Sequence, residues 1–125
     1  MRVLLISGEF APMQGGVGDF TRELAKALVA LGHEVFIFTH ARACDSATTL
    51  PGYHLLPVVE KWGWGSWKAV LAAIAKLRPD VVNLQYQAAA YGMHPAVNLL
   101  PWRLSRLRKR PTVVTTFHDL KVPYL

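Results

Sequence analysis

The chain has 125 residues, of which 52% are apolar and 18% charged, so it suits one domain with a sizeable core and is too short for two ordinary ones. This composition excludes an intrinsically disordered chain, and no apolar run reaches the roughly 20 residues that a membrane-spanning helix needs. The single cysteine, Cys44, excludes an internal disulfide and a cysteine-based metal site, and it is typical of a protein from the reducing cytoplasm. The net charge of +6 concerns the partners of the chain rather than its fold.

The first predicted unit is a strand, a glycine-rich turn, a helix and a second strand. Residues 2–7 form a short apolar run that is typical of a strand covered on both faces. Apolar residues then recur at helical spacing from Val17 to Leu31, and Gly32 stands where a helix commonly ends. A second buried strand over 35–39 completes a β–α–β unit. The residues predicted for the buried face of the helix are Val17, Phe20, Leu24, Ala27, Leu28 and Leu31.

Three further strands alternate with two further helices. Pro57 removes a backbone donor from the third strand, which we therefore place at a sheet edge. Ser66 is expected to cap a helix that ends before Pro79, whereas Pro101 is expected to kink or divide the last helix. The predicted elements are strands at 53–59, 80–84 and 112–116, helices that start at Ser66 and Pro95, and a long loop from Gln85 to Met93.

Five strands joined by helical crossovers predict an α/β fold, a Rossmann-like doubly wound parallel sheet with helices on both faces. Right-handed crossovers favour the strand order 3-2-1-4-5. Ligands of such sheets bind beyond the carboxyl ends of the strands, at the point where the strand order reverses. The segments that flank this point are Gly8–Gly18 and Gln85–His94, with Phe117–Asp119 one strand further along.

Glycines at positions 15, 16 and 18 open the first helix. Free N–H groups and the helix dipole favour an anion there, most often a phosphate. The alternative is a tight turn that only lets the helix pack against the strand. The spacing is not G-x-G-x-x-G, and the second strand ends in Thr39-His40 rather than in an acidic residue. Nicotinamide dinucleotide binding is therefore disfavoured.

Polar residues follow the fourth and fifth predicted strands. His118 can donate a hydrogen bond to a substrate hydroxyl or to a developing charge, and a packing histidine is the alternative. Gln85 and Tyr86 suit a polyhydroxylated ligand, or they form an ordinary polar loop. The five histidines show no paired spacing on one helix, so we predict no metal site. Cys44 lies far from the predicted crevice and is expected to be an unreactive thiol.

Tryptophans and cations cluster in two places. Trp62, Trp64 and Trp67 surround two glycines, and Trp102 precedes a basic cluster. Aromatic residues beside cations suit peripheral contact with an anionic membrane or stacking on nucleic acid. Nucleic acid is the weaker hypothesis because no recognition motif accompanies the charge. The remaining alternative is that the cations simply complement a helix C-terminus. The basic cluster comprises Arg103, Arg106, Arg108, Lys109 and Arg110.

Four segments point together to one family. Residues 7–28 read SGEFAPMQGGVGDFTRELAKAL, and residues 31–35 read LGHEV. Residues 79–87 read PDVVNLQYQ, and residues 115–119 read TTFHD. In this combination the chain resembles the family 4 glycosyltransferases, which are retaining nucleotide-sugar enzymes of the GT-B fold. The resemblance covers nearly the whole chain and is weakest from Ala41 to Trp67.

The resemblance implies that residues 1–125 are a single Rossmann-like domain, the N-terminal, acceptor-side half of a GT-B fold whose C-terminal donor domain is absent from this sequence. It implies that backbone N–H groups of Gly15 and Gly16 contact the donor diphosphate. It also implies that His118 is the catalytic residue, in contact with the donor sugar near the reacting carbon. The residues that it places on the acceptor side are Asp19, Gln85 and Tyr86.

The partners implied by the resemblance are a nucleotide-sugar donor, a sugar or lipid-linked acceptor and the missing donor domain, with no metal and no cofactor. Some relatives carry a lysine just before the glycine pair, where this chain has Gln14, so no charge assistance is expected from that loop. We expect the 125-residue chain to be inactive alone, with exposed apolar surface that favours self-association. The alternatives are an epimerase-like GT-B protein that acts on nucleotide sugars and a non-catalytic binding domain of the same fold.

Overall fold

The computed structural model describes residues 1–10, 16–43 and 52–118. Within these residues, strands and helices alternate along the chain. The strands are β1 (Arg2–Ser7), β2 (Glu34–His40), β3 (Tyr53–Val59), β4 (Val81–Tyr86) and β5 (Thr112–Phe117). The helices are α1 (Gly16–Ala30), α2 (Gly65–Leu77) and α3 (Ala96–Ser105), and a short 3-10 helix spans Ala88–Tyr91. None of these helices is both long enough and apolar enough to cross a membrane.

The strands form one sheet in the order β3-β2-β1-β4-β5, and every neighbouring pair is parallel. The predicted topology is confirmed. The order reverses between β1 and β4, where Ser7 lies opposite Gln85. On the other side of β4, Gln85 lies opposite Thr116. The carboxyl ends of β1, β4 and β5 therefore meet at one edge of the sheet, which is the edge predicted to bind ligands.

The fourth strand is longer than predicted. Gln85 and Tyr86 were expected to begin a loop, but both belong to β4. The reason is that β4 is a central strand: Gln85 pairs with both β1 and β5, and Tyr86 pairs with Phe117 of β5. The backbone pairing with neighbouring strands thus keeps both residues in the strand conformation although their side chains are polar.

Two apolar cores lie on the two faces of the sheet. Alternate residues of a strand point to opposite faces, so Val3 and Leu5 belong to the core beneath α1. Leu4 and Ile6 belong to the core beneath α2 and α3. The helices α2 and α3 therefore lie on the face opposite to α1.

The buried face of α1 is rotated from the predicted one. Phe20 and Leu31, both predicted to be buried, are 45% and 75% exposed. Val17 is buried and Leu24 and Leu28 pack against the core, as predicted, but the other residues buried against the sheet are small, namely Gly18, Thr21 and Ala25. A Cβ on Gly18 would lie only 3.2 Å from the carbonyl oxygen of Glu9. The prediction weighted hydrophobicity, but close approach of a helix to a sheet selects small side chains.

The proline inside α3 does not divide the helix, which runs unbroken through Pro101. Val97, Leu100 and Leu104 all pack into the core beneath α2 and α3. Burial on both sides of the proline holds the helix together although one backbone hydrogen bond is lost.

Candidate functional site

The candidate site lies at the carboxyl edge of the sheet, where the ends of β1, β4 and β5 meet the start of α1. The backbone of β1 leaves the sheet through Gly8. A Cβ on this residue would lie 2.7 Å from the carbonyl carbon of Ala90, so only glycine fits without a shift of backbone. The Trp62 indole donates a hydrogen bond of 3.2 Å to the Gly8 carbonyl oxygen. These contacts fix where the loop after β1 starts.

Two buried hydroxyl groups pack together where the start of α1 meets the end of β1. Ser7 Oγ donates to the carbonyl oxygen of Glu9 at 2.6 Å, and Thr21 Oγ1 donates to that of Val17 at 2.7 Å. The two hydroxyl oxygens are 3.4 Å apart, and both side chains are fully buried. The first turn of α1 is therefore fixed relative to the sheet edge.

His118 is fixed at this edge from three sides. Its backbone N–H donates to the carbonyl oxygen of Tyr86 at 2.9 Å. Its ring packs edge-on against the ring of Phe20, with centroids 4.8 Å apart. Its Nε2 lies 2.7 Å from Oε1 of Gln85. The rotation of α1 that leaves Phe20 outside the core is thus what brings that ring to the histidine.

A chain of side-chain amides assigns the proton on His118. Asn83 Nδ2 donates to the carbonyl oxygen of Val114 at 3.1 Å, and a carbonyl oxygen only accepts. Asn83 Oδ1 therefore faces Gln85 and accepts a hydrogen bond from Gln85 Nε2. Gln85 Oε1 is left to face the histidine, and an oxygen of this kind requires a donor. His118 must carry a proton on Nε2, which leaves Nδ1 as the acceptor in the neutral ring.

The start of α1 offers backbone donors and, next to them, negative charge. Gly16 is exposed at the first position of α1, and a Cβ there would contact nothing. Helix-initial N–H groups lack partners within the helix and favour an anion. Asp19 is exposed in the same turn. Burial, together with repulsion from Asp19, raises the pKa of Glu9. These two carboxylates can accept hydrogen bonds from hydroxyl groups.

Comparison with known proteins identifies the family. A family model described as Glycosyltransferase Family 4 matches residues 14–124. The chain belongs to glycosyltransferase family 4. A glycogen synthase of Paracidovorax citrulli (strain AAC00-1) is 37% identical over 65 residues, which make up 50% of this chain and 13% of the synthase. This chain therefore spans only a small part of that relative.

One solved structure has the same fold. A dTDP-glucose 4,6-dehydratase from Bacillus anthracis str. Ames, in complex with NAD, superposes on 92% of this family 4 chain and on 36% of its own length. The TM-score is 0.59 and the sequence identity is 12%. At this identity the likeness supports the Rossmann-like fold and nothing more.

The structure brings together some of the site residues predicted for this family 4 chain. His118 and Gln85 are in contact, and Gly16 and Asp19 share the first turn of α1. Gln85 is fully buried, so its amide faces the histidine rather than solvent. Gly15 and Asp119 lie outside the described residues.

Tyr86 lies apart from the other site residues. Neighbouring residues of a strand face opposite sides of the sheet, and the Tyr86 ring lies on the α3 side, with Phe117 at a centroid distance of 5.6 Å. It lines a cavity of about 220 Å³ with Val97 and Pro101. The ring of Tyr86 is thus directed away from His118.

Sequence reasoning missed three residues of the site, which are Glu9, Phe20 and Asn83. Asn83 had a usable signal, because Asn83 and Gln85 are polar at alternate positions of an otherwise apolar buried strand. That pattern predicts a polar stripe on one face of the sheet. Phe20 had no such signal, since its spacing fits the buried face of a helix equally well.

A buried tyrosine supports the site from below. Tyr91 is fully buried, and its hydroxyl group lies 2.6 Å from the carbonyl oxygen of Gln85 and 3.1 Å from that of Ile6. Burial raises the pKa of Tyr91, so the hydroxyl keeps its proton and donates it.

The described residues contain no cluster of three or more histidine, cysteine or acidic side chains that could hold a metal. The absence of a metal site in the whole protein stays a prediction.

Proposed function

We propose that this chain is the acceptor-side half of the active site of a retaining glycosyltransferase with a nucleotide-sugar donor. The observation that carries the proposal is the geometry of His118, which the buried Gln85 amide and the Phe20 ring hold beside the start of α1. In a family 4 chain, this geometry supports a role for the histidine at the transferred sugar.

The start of α1 would bind the donor diphosphate through the backbone N–H groups of Gly15 and Gly16, as the resemblance implies. A phosphate at a helix N-terminus gains both hydrogen bonds and a favourable dipole. Asp19, together with Glu9, would accept hydrogen bonds from hydroxyl groups of the acceptor. Tyr86 is left out of the proposed acceptor site because its ring packs toward α3.

The proposed reaction replaces one bond at the anomeric carbon of the donor. The bond to the diphosphate oxygen breaks, and a bond to the acceptor oxygen forms on the same face. The acceptor hydroxyl proton passes to the departing diphosphate, so no protein nucleophile is needed. His118 would accept a hydrogen bond from a sugar hydroxyl at Nδ1, and this bond strengthens as positive charge develops on the sugar, which lowers the barrier rather than the dissociation constant.

Gln85 and Asn83 would act as positioning residues in this reaction. They touch no substrate, but they fix the orientation and the protonated nitrogen of His118. A preorganised hydrogen-bonding group loses part of its effect when its ring is free to rotate. The intact enzyme is therefore expected to lose kcat, with KM nearly unchanged, when Gln85→Met removes the acceptor at Nε2.

The test of the proposal is turnover by an intact protein that carries this domain. A panel of nucleotide sugars and acceptors is screened for release of nucleoside diphosphate, and the anomeric configuration of the product is read by NMR. Sugar transfer with retention is the expected result. Transfer with inversion, or epimerisation of the donor without transfer, would contradict the proposal. In the 125-residue chain, NMR detection of a slowly exchanging His118 Nε2 proton, lost in Gln85→Met, tests the positioning role independently of turnover.

A further inference from the structure

Helix α3 has an exposed apolar face that the core does not use. Its inner face buries Val97, Leu100 and Leu104. On its outer face, Leu99 is 46% exposed and Trp102 is 58% exposed. These two residues are three positions apart, so they lie side by side on the helix surface. A large aromatic and a leucine together form an apolar patch that water solvates poorly.

The cations beside this patch are not neutralised by the rest of the described chain. Arg103 and Arg106 lie on or next to the outer face of α3, and the Arg106 guanidinium is 5.8 Å from the centroid of the Trp102 ring. The ion pairs formed among the described residues are Arg2–Glu34 and Lys26–Glu23, so neither involves the basic cluster.

Helix-end electrostatics account for only part of the basic cluster. Arg110 donates from Nη1 to the carbonyl oxygen of Ser105, in the last turn of α3, at 3.2 Å, as expected of a cation that complements a helix C-terminus. Within the described residues, no such bond is formed by the side chains of Arg103, Arg106 or Arg108. The charge of these arginines is therefore available to an external partner.

A groove of about 540 Å³ adjoins the cluster, between the end of α2 and the loop that leads into β5. Its rim carries Arg78, Arg108, Lys109 and Arg110, and its apolar lining includes Leu71 and Leu107. The same groove contains Asp80, whose Oδ2 accepts the backbone N–H of Arg2 at 2.8 Å. The groove thus has four cationic side chains and one carboxylate, which favours an anionic ligand. Its apolar lining favours a ligand that also carries an apolar portion.

We propose that this basic surface, formed by Leu99, Trp102 and the cations of the cluster and of the groove rim, docks on the surface of an anionic lipid bilayer. Trp102 and Leu99 enter the interface between headgroups and acyl chains, which is where exposed tryptophans partition. The arginines and Lys109 contact lipid phosphates, whose attraction adds to the apolar term. Nucleic acid explains the cations and the tryptophan but leaves Leu99 and the apolar groove lining without a partner.

Docking in this orientation leaves the candidate site free. Helix α3 covers the sheet face opposite to α1. The groove lies where β5 starts, at Thr112, whereas His118 follows the end of the same strand. A strand of this length separates its two ends by roughly 17–20 Å. The inference does not depend on the proposed transferase activity.

The test is co-sedimentation of the 125-residue chain with vesicles of neutral phosphatidylcholine, with or without phosphatidylglycerol. We expect binding that needs the anionic lipid and weakens as salt is added. Arg103→Gln combined with Arg106→Gln should lower the partition coefficient about thirtyfold, since each cation near the surface contributes a factor of roughly five. The matched control, Lys26→Gln with Arg42→Gln, removes the same charge from α1 and from the turn after β2 and should change the partition coefficient less than about twofold.

A second pair of variants tests the apolar contribution. Trp102→Ala should weaken binding several-fold, whereas Leu31→Ala, at an even more exposed apolar site just after α1, should not. Circular dichroism melts check that each variant folds. Binding to neutral vesicles alone, equal losses in the matched controls, or no binding at low salt would overturn the proposal. Duplex RNA binding without vesicle binding, or a dimer that buries Trp102, would overturn it as well.

Discussion

At the scale of single residues, the site depends on its glycines as much as on the residues that carry side chains. Gly8 lies where the chain leaves β1, and the backbone of Ala90 occupies the space that a side chain would need. Gly16, eight residues later, has open space around it. The two glycines belong to the same loop–helix segment but have different structural roles. Substitution of each by alanine, which adds one methyl group, distinguishes these roles.

We expect Gly8→Ala to lower the free energy of unfolding by about 1–3 kcal/mol, because the new Cβ meets backbone that cannot move without disturbing β4. Gly16→Ala is the matched control. It adds the same methyl group in open space at the start of a helix and should change stability by less than about 1 kcal/mol, in the stabilising direction. Urea unfolding of both variants measures the difference, and equal effects would contradict the close packing at Gly8.

The pair formed by Glu9 and Asp19 predicts a pH effect. The pKa of Glu9 is raised by burial and by repulsion from Asp19. A carboxyl whose pKa is higher in the folded state binds its proton more tightly there, so its ionisation destabilises the fold as the pH rises through that pKa. No penalty exists below the unfolded value. Glu9→Gln should therefore stabilise the chain at neutral pH and make no difference in acid.

A double-mutant cycle separates the two causes. In an Asp19→Asn background, the gain from Glu9→Gln at neutral pH should be smaller, because one of the two sources of the raised pKa is gone. Chemical unfolding at neutral and acidic pH provides the four free energies. An unchanged gain in the Asp19→Asn background would assign the effect to burial alone.

At the scale of elements, α1 illustrates how packing decides which face of a helix is buried. Its buried positions include Gly18, Thr21 and Ala25, and these small residues let the helix lie close to the sheet. Ala27, which the hydrophobic pattern placed on the buried face, is exposed. The same methyl-to-isobutyl change is therefore expected to destabilise the chain at Ala25 and to have little effect at Ala27.

Ala25→Leu should cost about 1–3 kcal/mol of stability, because the larger side chain forces α1 away from the sheet. Ala27→Leu should leave stability within about 0.5 kcal/mol, as is usual for an exposed helix position. Thermal unfolding of the two variants measures this. A loss at Ala27 with none at Ala25 would restore the helix face that the hydrophobic pattern predicts.

Much of the fold could be predicted from the sequence, and the exceptions have physical causes. Apolar runs and helical periodicity gave all five strands and their order, because burial on both faces leaves a strong pattern. The end of β4 was misplaced because Gln85 looks like a loop residue until its partners in β1 and β5 are known. The contact between Phe20 and His118 depends on the rotation of α1, which tertiary packing sets and local sequence does not.

At the scale of the whole molecule, the candidate site and the proposed docking surface occupy different ends and faces. The candidate site is at the carboxyl edge beside α1, and the basic surface is on the α3 side near the start of β5. A molecule docked on a bilayer through α3 would thus present the start of α1 and His118 to an incoming donor. The separation also allows the two proposals to be tested by independent variants.

We expect the 125-residue chain alone to turn over no nucleotide sugar. The proposed groups approach the substrate from one side of the sheet edge only, and transfer requires groups that converge on the reacting carbon from both sides. Incubation of the purified chain with nucleotide sugars, followed by chromatography for nucleoside diphosphate, measures this. Measurable turnover by residues 1–125 would show that the acceptor-side half is sufficient.

The most direct test of the central claim, that His118 acts on the transferred sugar, is the kcat of His118→Ala in an intact protein that carries this domain, with the melting temperature measured on the same preparation. Loss of one preorganised hydrogen-bonding group is expected to lower kcat on the order of a hundredfold or more, with a much smaller change in KM and a preserved fold. His54→Ala, which removes an exposed histidine from the edge strand β3, should keep a near-normal kcat. A stable His118→Ala protein with normal kcat would contradict the account.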